Sequence, residues 1–411
     1  MEKLSRNMIW MGAANCVSSL FGAIMLIYLA RTLMPAALGN LSYAISIIVF
    51  LASFLDLGLS TYGIREVAKA GGSDVSEYVS NIVSLRFVIA VILTVIVAAV
   101  SMISRQPGIL KLLMIETCLM MFMAAFATEW AFQGLEKMYM VFASFLVTSL
   151  LQLTLMLVFV RHPEDVVKVP FFYFLGSIPV IATFLKLLKF RFKVRKPDTA
   201  KLKLYLTSSL VIWAIAMFAQ VYNNLDIFLL GLFRKAEEVG YFTVARRAVG
   251  GVTILAVFLA NALLPRLSCT FNIDAKQFKG ATIKFLAVTT VIIILILLPV
   301  LFFAKDLLRL TVGAEYVPAA IPLNIMIGAL ILVLFNLPFS TGLIAACLEK
   351  EVLKQVIASA FFSVALNLVL IPKYGMVGAA VSFFCAEALA LIWILYVYKV
   401  KIAGSGLASG R

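Results

Sequence analysis

With 411 residues, 63% of them apolar and only 13% charged, the chain lacks the polar side chains needed to cover a soluble surface. Lipid is therefore its solvent over most of its area, and its long unbroken apolar runs read as helices rather than the alternating strands of a barrel. The net charge of +15 does not point to nucleic acid, because many of the basic residues fall in connections between apolar runs, where orientation signals lie.

Twelve apolar segments follow one another. The first, Met8–Ala30, stands behind Lys3 and Arg6; it is too long for a signal-peptide core and reads as a retained span. Gly39–Leu55, Val79–Ile103, Leu112–Thr128, Met138–Val160 and Val169–Leu185 complete a first set of six. A strongly basic connection, KLLKFRFKVRKPDTAKLK, separates them from Leu206–Phe233, Tyr241–Leu264, Phe285–Ala304, Val317–Ser340, Gln355–Ile371 and Met376–Tyr398. Most exceed the roughly 17 residues that cross the hydrocarbon core. The expected organisation is an N-terminal six-helix lobe over 1–190, a basic cytoplasmic linker over 191–205, a C-terminal six-helix lobe over 206–398 and a cytoplasmic tail over 399–411.

Alternate connections carry 22 and 10 Lys and Arg, the richer set including the N-terminus and the linker, which places both termini in the cytoplasm. The halves resemble each other weakly. Ile27–Ala44 aligns with Phe228–Ala245 at an offset of 201, matching Gly39 to Gly240, Leu29 to Leu230 and Ala44 to Ala245. Because six is even, the second copy enters the membrane in the same sense, giving a parallel repeat about an axis along the membrane normal. There is no GxxxxGK[ST] loop for ATP. Five scattered cysteines and one histidine, His162 in a polar connection, supply neither a disulfide framework nor a metal set, so no metal and no cofactor is expected.

Charges within spans are the informative residues, since an ionisable group at the bilayer centre costs about 2.5–3.5 kcal/mol on insertion scales. Arg86 opens span 3 and Lys284 opens span 9; each either snorkels to the inner interface or faces the interior. Arg246 and Arg247 lie two turns into span 8 and point about 100° apart, so at least one is expected to face inward. Asp56 and Glu129 lie near the inner ends of spans 2 and 4, with a structural interface role or a cavity role open to both. Asn223, Asn224 and Asp226 crowd one apolar helix and need partners, either in a hydrogen-bond network between helices or along a substrate path. Glu116 and Glu387 stand alone in spans 4 and 12, where a carboxyl is suited to carrying a coupling proton.

The segments YLARTLMPAALGNLSYA and FLDLGLSTYGIREVAK, the run EWAFQGLEKM at 129–138, VYNNLDIFLLG at 221–231 and YGMVGAAVS at 374–382 together resemble the Wzx-type polysaccharide flippases. These belong to the multidrug/oligosaccharidyl-lipid/polysaccharide superfamily. The resemblance covers essentially the whole chain, although many relatives carry fourteen spans rather than twelve. It implies an all-α integral membrane protein with two six-helix lobes around a central cavity open alternately to each side. It also implies a polyprenyl-diphosphate-linked sugar as substrate, moved from the cytoplasmic to the outer leaflet of the plasma membrane by a monomer, with H+ or Na+ as coupling ion. Guanidinium groups suit a diphosphate because they offer bidentate charge-assisted bonds. Arg31, Arg65, Arg86, Arg246 and Arg247 are the cations expected there, with Arg65 equally suited to be an orientation anchor. Asp56, Glu116, Glu129, Asn223, Asn224, Asp226, Lys284 and Glu387 are the expected polar or ion-coupling set.

Two other classes compete. A drug or cation antiporter of the same superfamily would want carboxylates and few arginines in its cavity, against which Arg246 and Arg247 argue. A membrane glycosyltransferase or polymerase would want a long loop with paired carboxylates, and no connection is long enough to hold a soluble domain.

Overall fold

The computed structural model describes residues 2–70, 75–103, 106–190, 213, 217, 220, 224–273 and 275–403. Every regular element among the described residues is helical. Eight described stretches are long and apolar enough to cross a membrane, making this a multi-pass membrane protein. Large apolar side chains stay exposed along them, among them Val88, Ile92 and Val95, as lipid-facing surfaces require.

Where two spans with a connection at 31–38 are expected, the chain forms one helical run, α1 (Glu2–Asp56), broken at Met34 (φ 63°, ψ 166°). A straight helix of 55 residues would reach about 80 Å, far beyond a hydrocarbon core of about 30 Å, so the break divides it into two arms. Pro35 is the cause: its ring disfavours helical backbone at the preceding residue and removes an N–H. After α1 come α2 (Leu59–Lys69), α3 (Val75–Ile103) and α4 (Gly108–Phe126). A short α5 (Glu129–Gly134) follows, so Glu129 opens a separate helix rather than closing the expected span 112–128. Next are α6 (Met138–Phe159) and α7 (Lys168–Leu187), linked by a turn in which the Asp165 carboxylate accepts the N–H groups of Arg161 and His162, each at 3.0 Å.

Beyond the linker lie α8 (Asn224–Phe233), α9 (Ala236–Ile273), α10 (Ala275–Ile292) and the short α11 (Leu298–Phe302) and α12 (Ala304–Thr311). The long α13 (Ala320–Ala345) and α14 (Glu349–Tyr398) follow, and a short helical turn over Lys399–Ala403 ends the described residues. The expected connection at 372–375 is again a single break, at Gly375 (φ 58°, ψ −135°) inside α14. Ser382 donates to the Ser363 carbonyl at 3.1 Å across this break, so the arms fold back as a hairpin.

The chain divides into two compact units, Met1–Phe228 and Leu229–Arg411. In the first, α3 joins two apolar clusters. Val79, Ile82 and Val83 pack with Leu59, Trp130, Phe132 and Phe184, while Ala90 and Val97 pack with Ile48, Leu55 and Met121. Arg86 falls between them in the sequence. In the second unit, Leu267, Phe278, Phe285, Leu343, Ile394 and Val397 form one cluster.

Candidate functional site

α3 places one guanidinium among apolar neighbours: Arg86 is 2% exposed, on a helix that begins eleven residues earlier at Val75. Its charge is met inside the unit. Arg86 pairs with the Asp56 carboxylate through Nη2, which also donates to Ser60 Oγ at 2.6 Å, and Nη1 reaches the Ala127 carbonyl at 3.4 Å. One side chain thereby ties together the end of α1, the start of α2 and the segment after α4. Charge-assisted bonds of this kind are the ones that hold a buried charge.

Local backbone geometry delivers Asp56 to this point. α1 ends there, and the left-handed residues Leu57 (φ 45°) and Gly58 (φ 76°) reverse the chain into α2. Asp56 Oδ1 then accepts the Ser60 N–H at 3.3 Å and the Ser60 hydroxyl at 2.7 Å. The carboxylate therefore satisfies an unpaired donor in the first turn of α2, where negative charge is favoured, and faces Arg86 at the same time.

A cavity of about 310 Å³ opens beside this pair. Its polar lining is Asp56, Ser60, Arg86, Glu129, Trp130 and Gln133, with Leu55, Ile64 and small alanines filling the rest. Two buried donors of lining residues, Arg86 Nε and Trp130 Nε1, have no protein acceptor among the described residues, and neighbouring Thr128 Oγ1 is equally unpartnered. Trp130 is 4% exposed. The far edge of its six-membered ring lies against Gly63, so the Nε1 edge is turned away from α2. The cavity holds two carboxyl groups and one fixed cation, a composition suited to a small cation or a proton rather than to an anion.

Of the other expected residues in this unit, Arg31 and Arg65 are exposed, and neither lines the cavity. Arg65 lies 3.5 Å from Glu66 and over the Tyr62 ring. Glu116 is half-buried on α4, outside the cavity lining. Asn224 is half-buried and donates to the Gln220 side chain at 3.0 Å, while buried Asp226 accepts the Ile227 N–H at 2.8 Å. Asn223 lies outside the described residues. In the second unit Arg246 is half-buried with its guanidinium 4.5 Å from the Phe383 ring centre, Arg247 and Lys284 are exposed, and Glu387 is half-buried on α14. Arg86 and Lys284, matched by position in the sequence, thus occupy unlike surroundings.

Sequence reasoning passed over Ser60, Trp130 and Gln133 as members of the site. The signals were present: Ser60 stands one helical turn after Asp56, and Trp130 and Gln133 belong to the EWAFQG run.

Comparison with known proteins bears on the whole chain. The capsular polysaccharide biosynthesis protein CapF of Staphylococcus aureus is 24% identical over 403 residues, covering 96% of this chain and 99% of its own length. A protein of Escherichia coli strain K12 named for O-antigen transport is 21% identical over 407 residues, covering 97% and 98%. Among solved structures, lipid II flippase MurJ in an inward closed conformation matches with a TM-score of 0.75 at 14% identity, covering 95% of this chain and 87% of that one. An inward-facing multidrug resistance transporter of the MATE family matches with a TM-score of 0.70 at 15% identity and 99% coverage of both chains. The two likenesses identify the fold as one shared by flippases and multidrug transporters. Residues 4–271 match the family model described as polysaccharide biosynthesis protein, and the chain belongs to that family.

Proposed function

We propose that this protein is a flippase that carries a polyprenyl-diphosphate-linked oligosaccharide from the cytoplasmic to the outer leaflet for surface polysaccharide synthesis. The observation that carries the reading is family membership across residues 4–271, supported by full-length relatives named for capsular polysaccharide biosynthesis and O-antigen transport. It is a transporter and not a catalyst: binding and release of an intact lipid-linked sugar require no bond to break.

Alternating access in the plasma membrane needs two bundles and a path between them, and we assign twelve spans in two six-helix lobes with both termini cytoplasmic. Left-handed helix ends of one form recur in both halves, after α5 and α7 in the first and after α13 in the second. α5 closes on left-handed Glu136 (φ 55°), with Glu136 N–H bonded to Gln133 O and Lys137 N–H to Phe132 O. α13 closes 211 residues later on Cys347 (φ 57°), with Cys347 N–H bonded to Ile344 O and Leu348 N–H to Leu343 O. In this reading the chain acts as a monomer, the polyprenyl tail stays in lipid and the cations meet the diphosphate.

The test is a cell deleted for the gene. It should stop displaying the polysaccharide and accumulate the lipid-linked sugar facing the cytoplasm, and the intact gene should restore display. Undiminished display after deletion would overturn the proposal, and restored drug resistance with no effect on polysaccharide would favour the antiporter reading.

A further inference from the structure

We infer that the α1–α2–α3–α5 cavity is a proton site, with Glu129 as the group that takes up the proton and Arg86 as the cation that Glu129 and Asp56 contend for. The inference rests on the flippase reading for its purpose, because it names the ion that drives that transport.

The first ground is charge. Among the described residues, the titratable or charged groups lining the cavity are Asp56 from α1, Arg86 from α3 and Glu129 from α5; α2 contributes Ser60 and Ile64 and α4 Ala124, which carry none. Arg86 and Asp56 neutralise each other in direct contact. An ionised Glu129 would leave one uncompensated negative charge within an apolar segment, Gly108–Gly134, where a charge is costly. A proton on its carboxylate removes that charge.

The second ground is the pair of buried donors. Arg86 and Trp130 line the cavity, and their buried Nε and Nε1 donors have no acceptor among the described residues, which is costly. A polar cavity of about 310 Å³ has room for water beside Glu129 to carry a proton. They also provide a second arrangement. When Glu129 is ionised, Arg86 Nε is the free N–H that can turn to it, loosening the hold on Asp56 and Ser60. Since Arg86 ties the end of α1, the start of α2 and the segment after α4, the exchange shifts the packing of those helices. The step balances simply. A hydronium ion on one side gives up an O–H bond as the carboxylate gains one and is left as water, and the new bond breaks when the proton passes to water on the other side, which becomes hydronium.

The experiment uses the full-length protein in lipid nanodiscs and in proteoliposomes. Infrared difference spectra between acid and alkaline pH should show a carboxylic-acid band that shifts when the protein carries ¹³C-glutamate and is missing in Glu129→Gln. Asp56→Asn gives Arg86 to Glu129 and keeps it ionised, so the same band should vanish with Glu129 in place. In proteoliposomes an imposed pH gradient should speed flipping of the lipid-linked sugar several-fold in the wild type, and the ratio of rates with and without the gradient should fall to about one in Glu129→Gln. A band that persists in both variants, a Glu129→Gln protein that still responds to the gradient, or a sodium gradient that replaces it would each overturn the inference. A wild type that moves no lipid-linked sugar would instead refute the flippase reading, and the infrared result would decide the proton site by itself.

Discussion

Gly63 on α2 lies against the indole of Trp130 on α5 so closely that a Cβ on Gly63 would run into the ring. A second glycine tightens the same contact: a Cβ on Gly134 would come within 2.9 Å of the Val67 side chain and the Ile64 carbonyl oxygen. The two helices meet through missing side chains, and this close approach sets where Trp130 and Glu129 stand beside the cavity. Gly63→Ala should therefore destabilise the protein by roughly 1–3 kcal/mol, as overpacking does. Thermal unfolding in detergent should show a lowered midpoint, and adding Trp130→Leu should recover part of the loss. An unchanged midpoint in Gly63→Ala would show that the ring gives way freely.

The contest for Arg86 predicts non-additivity. Asp56→Asn leaves Glu129 as a second acceptor for the guanidinium, and Glu129→Gln leaves Asp56. The double variant leaves a residue only 2% exposed with no counter-ion. Its loss of stability should exceed the sum of the single losses by roughly 0.5–3 kcal/mol, the range seen for residues sharing one network. Denaturant unfolding of the four proteins makes the measurement, and simple addition would mean that the carboxyl groups do not share Arg86.

In the second unit, the Glu238 carboxylate accepts the Met376 N–H at 3.1 Å and is held by Arg234 Nε at 3.0 and 3.2 Å. It thereby satisfies a backbone donor at the break in α14. Gly375 adopts a backbone conformation open essentially to glycine alone, and a Cβ there would overlap Glu238. Gly375→Ala should cost at least about 1–3 kcal/mol. Glu238→Ala should cost about 1.5–3 kcal/mol through the lost charge-assisted bond. Both effects are read as lowered thermal midpoints of purified protein.

Arg246 and Arg247 are expected to help hold the diphosphate. Replacing both by Ala should abolish surface polysaccharide at equal protein level in the membrane. Lys at both positions should restore part of it, since Lys keeps the charge and loses the planar fork. Near-normal display by the Ala variant, counted per molecule of transporter, would remove the pair from the binding site.

The orientation is checked by cysteine labelling from outside the cell. A probe site beside His162 should react, and one beside Lys196 should not. The opposite pattern would invert the topology and with it the direction of transport.

The sequence by itself determined the solvent and the class. Sixty-three per cent apolar residues in long runs can be buried only in lipid, and backbone groups in lipid must bond within helices. It also separated the apolar runs, because the polar and basic connections between them act locally. Only the tertiary structure decided which charges meet. Asp56 and Arg86 are thirty residues apart, and hydropathy ranks both simply as unfavourable in a span. Their pairing depends on the turn at Leu57 and Gly58 and on the side of α3 that faces it. In the same way Arg86 and Lys284 look alike along the chain, and packing buries one and leaves the other exposed. The side on which a helical residue lies is legible from its spacing, but what stands opposite is set by the packing of other helices. The cavity, which consists entirely of such opposed sides, therefore came into view only with the fold.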